Sequence, residues 1–389
     1  MAQPEVLHVI TGTAIGGAEI MLLRYLRALG AVRDRHRVVS MMPCGPVAGM
    51  IRDTGVEISD LGAASARQIP AAIRRLQKVI AQHDPQVIHG WMYHGSLVAT
   101  LALRLGRRPD IGLLWAIHHS LADPAREKMT TRAVLRGLRM IADRADAITY
   151  CAQQSAQQHA AFGLPVTRAH FVPNAVDTQE FRPDPAARAR LAAVAGLPDS
   201  RQIIGSFARA HPMKDHPAFV QALAQLVRQG LDVHGVLIGH GQPGGQAEAE
   251  AARLGIAERL SVLPARDDIA ALVPGLDLYL LSSAWGEALP LAVAEAMAAG
   301  VPAVVTDVGD CGWLVGDCGA VTPPRRPDLM AGAAADLLAL PADRRAALSE
   351  AARARIVQHL SLHDYITRHD ALYRQARAAR APNAPAEAA

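Results

Sequence analysis

Short hydrophobic runs alternate along this chain with longer stretches in which apolar residues recur every three to four positions. In the first half, Val6 to Ile10, Arg37 to Met41, Gln86 to His89, Gly112 to Ile117 and Ala145 to Thr149 predict strands separated by amphipathic helices. The second half repeats the scheme at Gln202 to Phe207, Val233 to Ile238, Leu260 to Leu263, Leu278 to Leu281 and Ala303 to Thr306. Strands alternating with helices predict an α/β protein with two Rossmann-like sheets, whose ligands bind at the carboxyl ends of the strands. The stretch Val172 to Pro185, with Pro173, Asn174, Pro183 and Pro185, predicts the linker between residues 1–175 and 176–360. Ser361 to Arg377 has the composition of a last helix, and the tail 381–389, APNAPAEAA, has too little apolar surface to fold and is expected to be disordered.

At 389 residues the chain has room for two domains, each with its own core. No run of eighteen apolar residues occurs, and MAQPEVLHVITG enters a strand without a basic leader, so neither a membrane span nor a secretory signal is expected and a cytoplasmic location is. Cys44, Cys151, Cys311 and Cys318 fit no zinc spacing and are expected to be reduced thiols.

The net charge of +4 conceals an asymmetry. Residues 1–175 carry 20 Lys+Arg against 12 Asp+Glu and residues 176–360 carry 16 against 21, so the halves stand at +8 and −5. An N-terminal domain facing an anionic surface or phosphorylated acceptor would account for it, as would a solvated arginine-rich surface. Arg132, Arg136 and Arg139 form one helical stripe beside Val134, Leu138 and Ile141. That stripe suits docking on the inner, anionic face of a membrane; a core helix with a solvated basic face is the alternative.

Candidate chemistry concentrates in WGEALPLAVAEAMAAGVPAVVTD, residues 285–307, where Glu287 and Glu295 stand eight positions apart across the start of a predicted helix. A fully helical separation of eight residues spans about 12 Å, the distance from a hexose across a diphosphate to a ribose. Pro290 suits the first helical turn, leaving the amides of Ala288, Leu289 and Leu291 to face an anion. Gly16 and Gly17, after the first strand, allow backbone to approach a phosphate or sugar, although such a pair also serves as a plain turn. Lys214 is the only lysine after residue 128 in a chain with three, which points to a compact positive charge at that position.

Taken in order, IGGAE at 15–19, WMYHGS at 91–96, WAIHHS at 115–120, VPNAVDTQEFRP at 172–183, FARAHPMKDHP at 207–217, VLIGHG at 236–241 and the Glu-x7-Glu segment resemble the retaining glycosyltransferases of family 4. The resemblance implies the GT-B fold: two Rossmann-like domains facing a central cleft, with the C-terminal helix, 361–380, crossing back to the first domain. It implies transfer of a sugar from a nucleotide-sugar donor, a UDP-sugar, to a hydroxyl of a glycan or lipid-linked acceptor. It assigns the diphosphate to Arg209 and Lys214, the ribose to Glu295, the donor sugar to Glu287 and the reacting face to His119, with His118 the adjacent choice. His94 falls on the acceptor side and the loop Arg266 to Ile269 near the base, where Asp267 could equally be a helix N-cap.

No Asp-x-Asp triplet occurs, against the metal-dependent GT-A class, so no metal or other cofactor is expected, nor is a nucleic-acid partner. The chain departs from the family at Ala175, commonly Gly, and in DCGWLVGDCG, where an acidic residue is usual near Cys311 or Gly312. Two rivals remain: a UDP-sugar 2-epimerase on the same fold, and a nucleotide-sugar-binding protein without catalysis.

Overall fold

The computed structural model describes residues 3–198 and 201–381, so the predicted tail lies outside the described residues except for Ala381. The chain divides into two compact units, Met1–Asn174 with Leu362–Ala389, and Ala175–Ser361. In the first, seven parallel strands, β1 (Val6–Ile10), β2 (His36–Ser40), β3 (Glu57–Asp60), β4 (Val87–Trp91), β5 (Gly112–Ile117), β6 (Ala147–Tyr150) and β7 (Ala169–Phe171), lie in the order β3-β2-β1-β4-β5-β6-β7. In the second, six parallel strands, β8 (Gln202–Phe207), β9 (Val233–Ile238), β10 (Leu260–Leu263), β11 (Leu278–Leu281), β12 (Ala303–Thr306) and β13 (Gly319–Thr322), lie in the order β10-β9-β8-β11-β12-β13.

Central strands such as β1, β5 and β9 are buried along their whole length, because helices cover both faces of a parallel sheet. Their continuous apolar runs are what made them legible. The helix His216–Arg228 shows the complementary pattern: it buries Phe219, Val220, Leu223 and Leu226 against the sheet that holds Ile204, Leu237 and Leu280. The three strands that the sequence left unassigned, β3, β7 and β13, all lie at sheet edges and are only partly buried.

The last helix, Leu362–Arg380, packs in the first unit. Arg380 holds Asp146 through two hydrogen bonds of 2.9 and 2.7 Å, and the Tyr373 hydroxyl meets His89 Nδ1 at 2.8 Å. Tyr365, His369 and Tyr373 of this helix join His8, His36, His89 and Tyr25 in a buried cluster. The Trp91 indole can only donate, and it donates to His8 Nδ1 at 3.1 Å. His8 therefore carries its proton on Nε2, 3.0 Å from His36 Nδ1, which places the His36 proton on Nε2. Both rings are neutral in this chain of bonds, as burial dictates: it lowers the pKa of His36 and His369 to about 4 and that of His8 and His89 well below the usual value.

Candidate active site

In each sheet the strand order reverses beside the unit's first strand, at β1/β4 and at β8/β11, where connections leave toward opposite sides and a crevice opens at the carboxyl ends. Gly16, Gly17 and His94 follow β1 and β4, and Arg209, Lys214 and Glu287 follow β8 and β11, while His118 and His119 follow β5 and the loop Arg266 to Ile269 follows the edge strand β10.

In the second unit, β8 ends at Phe207 and β11 at Leu281. The turn after β8 is locked to the exit of β11: the Ser282 hydroxyl donates to the Lys214 carbonyl at 2.8 Å and the Ala284 amide to the Met213 carbonyl at 2.8 Å. This brings the Lys214 ammonium to 2.5 Å from Glu287 Oε1, with side-chain exposures of 14 % and 7 %. The Ser283 hydroxyl donates to the same oxygen at 2.6 Å. Both bonds converge on Oε1, and Oε2 has no hydrogen-bond donor among the described residues. Arg209 is exposed on the same turn. Asp215, directly after Lys214, takes a left-handed conformation (φ 47°), which aspartate tolerates at a tight strand-to-helix turn.

The two glutamates do not share one helix. The helix is Leu291–Ala298, with Pro290 as its N-cap instead of its first residue, so the fully helical span of about 12 Å expected from the spacing does not describe the separation. Extended backbone at Pro290 (φ −73°, ψ 111°) is the reason: the chain turns into the helix only after the proline. Glu287 therefore sits in the preceding loop and Glu295, half-buried, on the helix. Ala288 and Leu289 also belong to that loop, with buried side chains and the Ala288 carbonyl accepting from the Asp310 amide at 2.8 Å. The amides without an intrahelical acceptor are those of Leu291, Ala292 and Val293, the Ala294 amide being the first to bond back, to Pro290.

Arg266 is engaged with Asp268 through two hydrogen bonds of 2.8 and 2.7 Å. Asp268, not Asp267, occupies the N-cap of the short helix Ile269–Leu272, so the expected Asp267 cap is corrected. Among the described residues no group of His, Cys, Asp and Glu is placed to hold a metal ion. Cys44 is exposed, Cys151, Cys311 and Cys318 are buried, and none of them is in a disulfide among the described residues.

In the first unit, Gly16 caps the helix Gly17–Ala28 in extended conformation (φ −159°). A methyl group on Gly17 would meet nothing within 4 Å, and one on Gly16 only the mobile end of Glu19. The protein's own packing does not demand these glycines. At β4, Met92 has φ 61°, uncommon for a residue with a side chain, at the turn that leads to half-buried His94. Burial lowers the His94 pKa.

The adjacent histidines after β5 part company. His119 is tied down: its Nε2 lies 2.8 Å from Glu127 Oε1 and its carbonyl accepts from the Ser155 hydroxyl at 2.6 Å. His118 lies flat on the buried Trp91 ring, with centroids 5.3 Å apart and planes 10° apart. Its Nδ1 meets Asn174 Oδ1 at 2.9 Å, so Nδ1 carries the proton and Nε2 is left as an acceptor. Burial lowers its pKa to about 4 and keeps it neutral. Sequence reasoning singled out neither Asn174, Glu127 nor Ser283 as site residues. Asn174 meets a partner 56 positions away, whereas Glu127 and Ser283 bond residues only eight and four positions away.

The helix Met129–Ile141 buries Val134, Leu135 and Leu138 and exposes Arg136 and Arg139 together with Met129 and Met140. Arg132 is half-buried, and with Arg136 it lines an open cavity of about 320 Å³ bounded by Asp123, Pro124 and Phe162. No described helix is long and apolar enough to cross a membrane.

Residues 15–180 match the family described as Glycosyltransferase Family 4, and residues 188–355 that described as Glycosyl transferases group 1. The putative glycosyltransferase EpsF of Bacillus subtilis is 25% identical over 317 residues, covering 79% of this chain and 80% of that one. The GDP-mannose-dependent alpha-(1-6)-phosphatidylinositol monomannoside mannosyltransferase of Mycolicibacterium smegmatis is 29% identical over 299 residues, covering 72% and 73%. In fold the chain is similar to HepE of Anabaena, solved in complex with UDP-glucose, with a TM-score of 0.81 at 20% identity over 93% of this chain and 97% of that one. The two sheets, the matches in both halves and these relatives together place the chain among the glycosyltransferases of GT-B fold.

Proposed function

We propose that the chain moves a sugar from a UDP-sugar to a hydroxyl of a glycan or lipid-linked acceptor, with retention at the anomeric carbon and without a metal ion. The observation that carries this reading is the Lys214–Glu287–Ser283 cluster at the β8/β11 reversal, a cation and a half-satisfied carboxylate at one strand-end crevice. In the proposed complex Arg209 and Lys214 bind the diphosphate, where negative charge develops as the sugar leaves. The orphan amides of Leu291 to Val293 add to that field. Glu287 accepts from sugar hydroxyls through Oε2, and Glu295 takes the ribose.

Retention follows from attack on the face that the leaving group departs from. The acceptor oxygen bonds to the anomeric carbon as the bond to the diphosphate oxygen breaks, and the acceptor proton passes to that phosphate oxygen. No protein nucleophile is required. Of the two histidines we assign the reacting face to His118, because its Nε2 is presented as a neutral acceptor while His119 is paired with Glu127. The space left at Gly17 supports an approach of phosphate or sugar to the start of the helix, whereas at Gly16 the Glu19 carboxylate occupies it.

A GDP-mannose-dependent relative makes GDP-mannose the second donor to test. The experiment is mass spectrometry of products from UDP-glucose, UDP-galactose, UDP-N-acetylglucosamine and GDP-mannose with a polyprenyl-diphosphate-linked sugar acceptor, with and without EDTA, followed by NMR of the new linkage. A glycosylated acceptor of retained configuration made from a UDP-sugar, formed equally with EDTA, is expected. An inverted product or loss of activity in EDTA contradicts the mechanism. Free UDP with an epimerised sugar would favour the epimerase, and UDP binding without turnover a binding protein.

A further inference from the structure

We infer that Arg355 is a positioning residue for Glu287, acting through the short helix Cys311–Val315; the inference rests on the role proposed for Glu287. Arg355 lies on the helix Ala342–His359, away from every residue assigned to the donor by sequence. Its Nε donates to the Leu314 carbonyl at 2.9 Å and its Nη2 to the Trp313 carbonyl, while its guanidinium carbon stands 5.8 Å from the centre of the Trp313 ring. These carbonyls belong to a helix end, where no intrahelical donor remains for them, and a forked guanidinium can serve two at once. The next residue, Gly316, has φ 52° and ψ −134°, and a methyl carbon there would lie 2.7 Å from Arg355 Cζ. Only glycine admits the guanidinium to this position.

The other end of the same short helix meets the glutamate loop. The Leu314 amide donates to the Asp310 carbonyl at 2.8 Å, and the Asp310 amide donates to the Ala288 carbonyl at 2.8 Å. Gly309, with φ 60°, comes so close that a methyl carbon would stand 2.2 Å from the Glu287 carbonyl oxygen. From the guanidinium to the residue beside Glu287 the connection thus runs through main-chain bonds and close backbone contact, with no flexible side chain to absorb a shift. The segment DCGWLVGDCG, which departs from the family pattern, is on this account a brace for the carboxylate loop.

Arg355→Met keeps most of the stem and removes every donor; Arg355→Lys keeps the charge and one donor group. Hydrogen exchange on the intact chain should quicken over residues 284–292 in Arg355→Met, less so in Arg355→Lys, and stay unchanged in the first unit. With release of UDP from UDP-glucose as the probe, Arg355→Met should slow turnover by about ten- to a hundredfold, the penalty of a slightly misplaced group. In a chain already carrying Glu287→Gln it should slow it no further. Unchanged exchange over 284–292, or losses that multiply, would overturn the inference. If Glu287→Gln alone keeps the wild-type rate, the proposed role of Glu287 fails instead, and the exchange data still decide whether Arg355 braces the loop.

Discussion

Lys214 and Glu287, separated by 73 positions in sequence, meet at 2.5 Å in a setting that leaves the ammonium 14 % and the carboxylate 7 % exposed. Removing one member of so buried a pair strands the other charge, at a penalty of about 3–5 kcal/mol. Lys214→Met should therefore lower the denaturation midpoint, whereas the Lys214→Met/Glu287→Gln double variant should recover most of the stability and none of the turnover. Denaturant titration and UDP release separate the two. A double variant as unstable as Lys214→Met would mean the pair is not coupled.

Loss of His118 should affect chemistry more than donor affinity. His118→Phe preserves a ring on Trp91 but removes Nε2, and turnover should fall about two- to tenfold, the worth of one neutral hydrogen bond of about 0.5–1.5 kcal/mol. Affinity for UDP by calorimetry should not change, because the proposed UDP contacts lie in the second unit. His119→Gln should be the milder change. The opposite order would return the role to His119.

Acid should weaken the first unit through its buried histidines. His36 and His369 titrate near pH 4 in the folded chain and near 6.5 when unfolded, so the unfolded state takes up protons first as pH falls. Their stabilising contribution is whole above pH 6.5 and declines between 6.5 and about 4, by on the order of 3 kcal/mol for each histidine. Urea titrations from pH 8 to pH 4.5 should show it. Stability that holds flat down to pH 5 would mean the cluster admits protons without opening.

If the basic excess of the first half serves a membrane or lipid-phosphate acceptor, the chain should float with anionic liposomes at low salt. It should be released near 0.15 M, where the Debye length is about 8 Å. Reversing Arg132, Arg136 and Arg139 to Glu should abolish flotation and leave UDP binding intact. Wild-type protein that ignores such liposomes at low salt would mark the stripe as a solvated helix face.

The strands most legible in the sequence were those buried on both faces. β1, β5, β8, β9, β11 and β12 begin and end at the predicted residues, since continuous apolar runs bounded by turn residues announce them, and the half-buried edge strand β10 does so as well. β3, with the burial of an edge, offers no such run: Glu57 and Asp60 are exposed along it. Within the candidate site the residue types were legible and their pairing was not. Nothing local joins Lys214 to Glu287 or His118 to Asn174, because those meetings are set by strand order. The choice between His118 and His119 was open for the same reason: consecutive residues at a strand end differ in partners, and the partners here are Asn174 and Glu127.

The assignment of Leu362–Arg380 to the first unit bears on the order in which the chain can be made. As the ribosome delivers it, the first seven strands emerge long before the residues that cover His89, Tyr25 and Asp146. Until then these polar groups face water, the Asp146 carboxylate lacks Arg380, and the apolar surface reserved for Leu372 and Ala376 stays bare. The second unit, contiguous in sequence, can close on its own as soon as it has left the exit tunnel. The half of the molecule synthesised first is thus the one finished last, and a fragment ending after residue 174 would remain an unsealed domain.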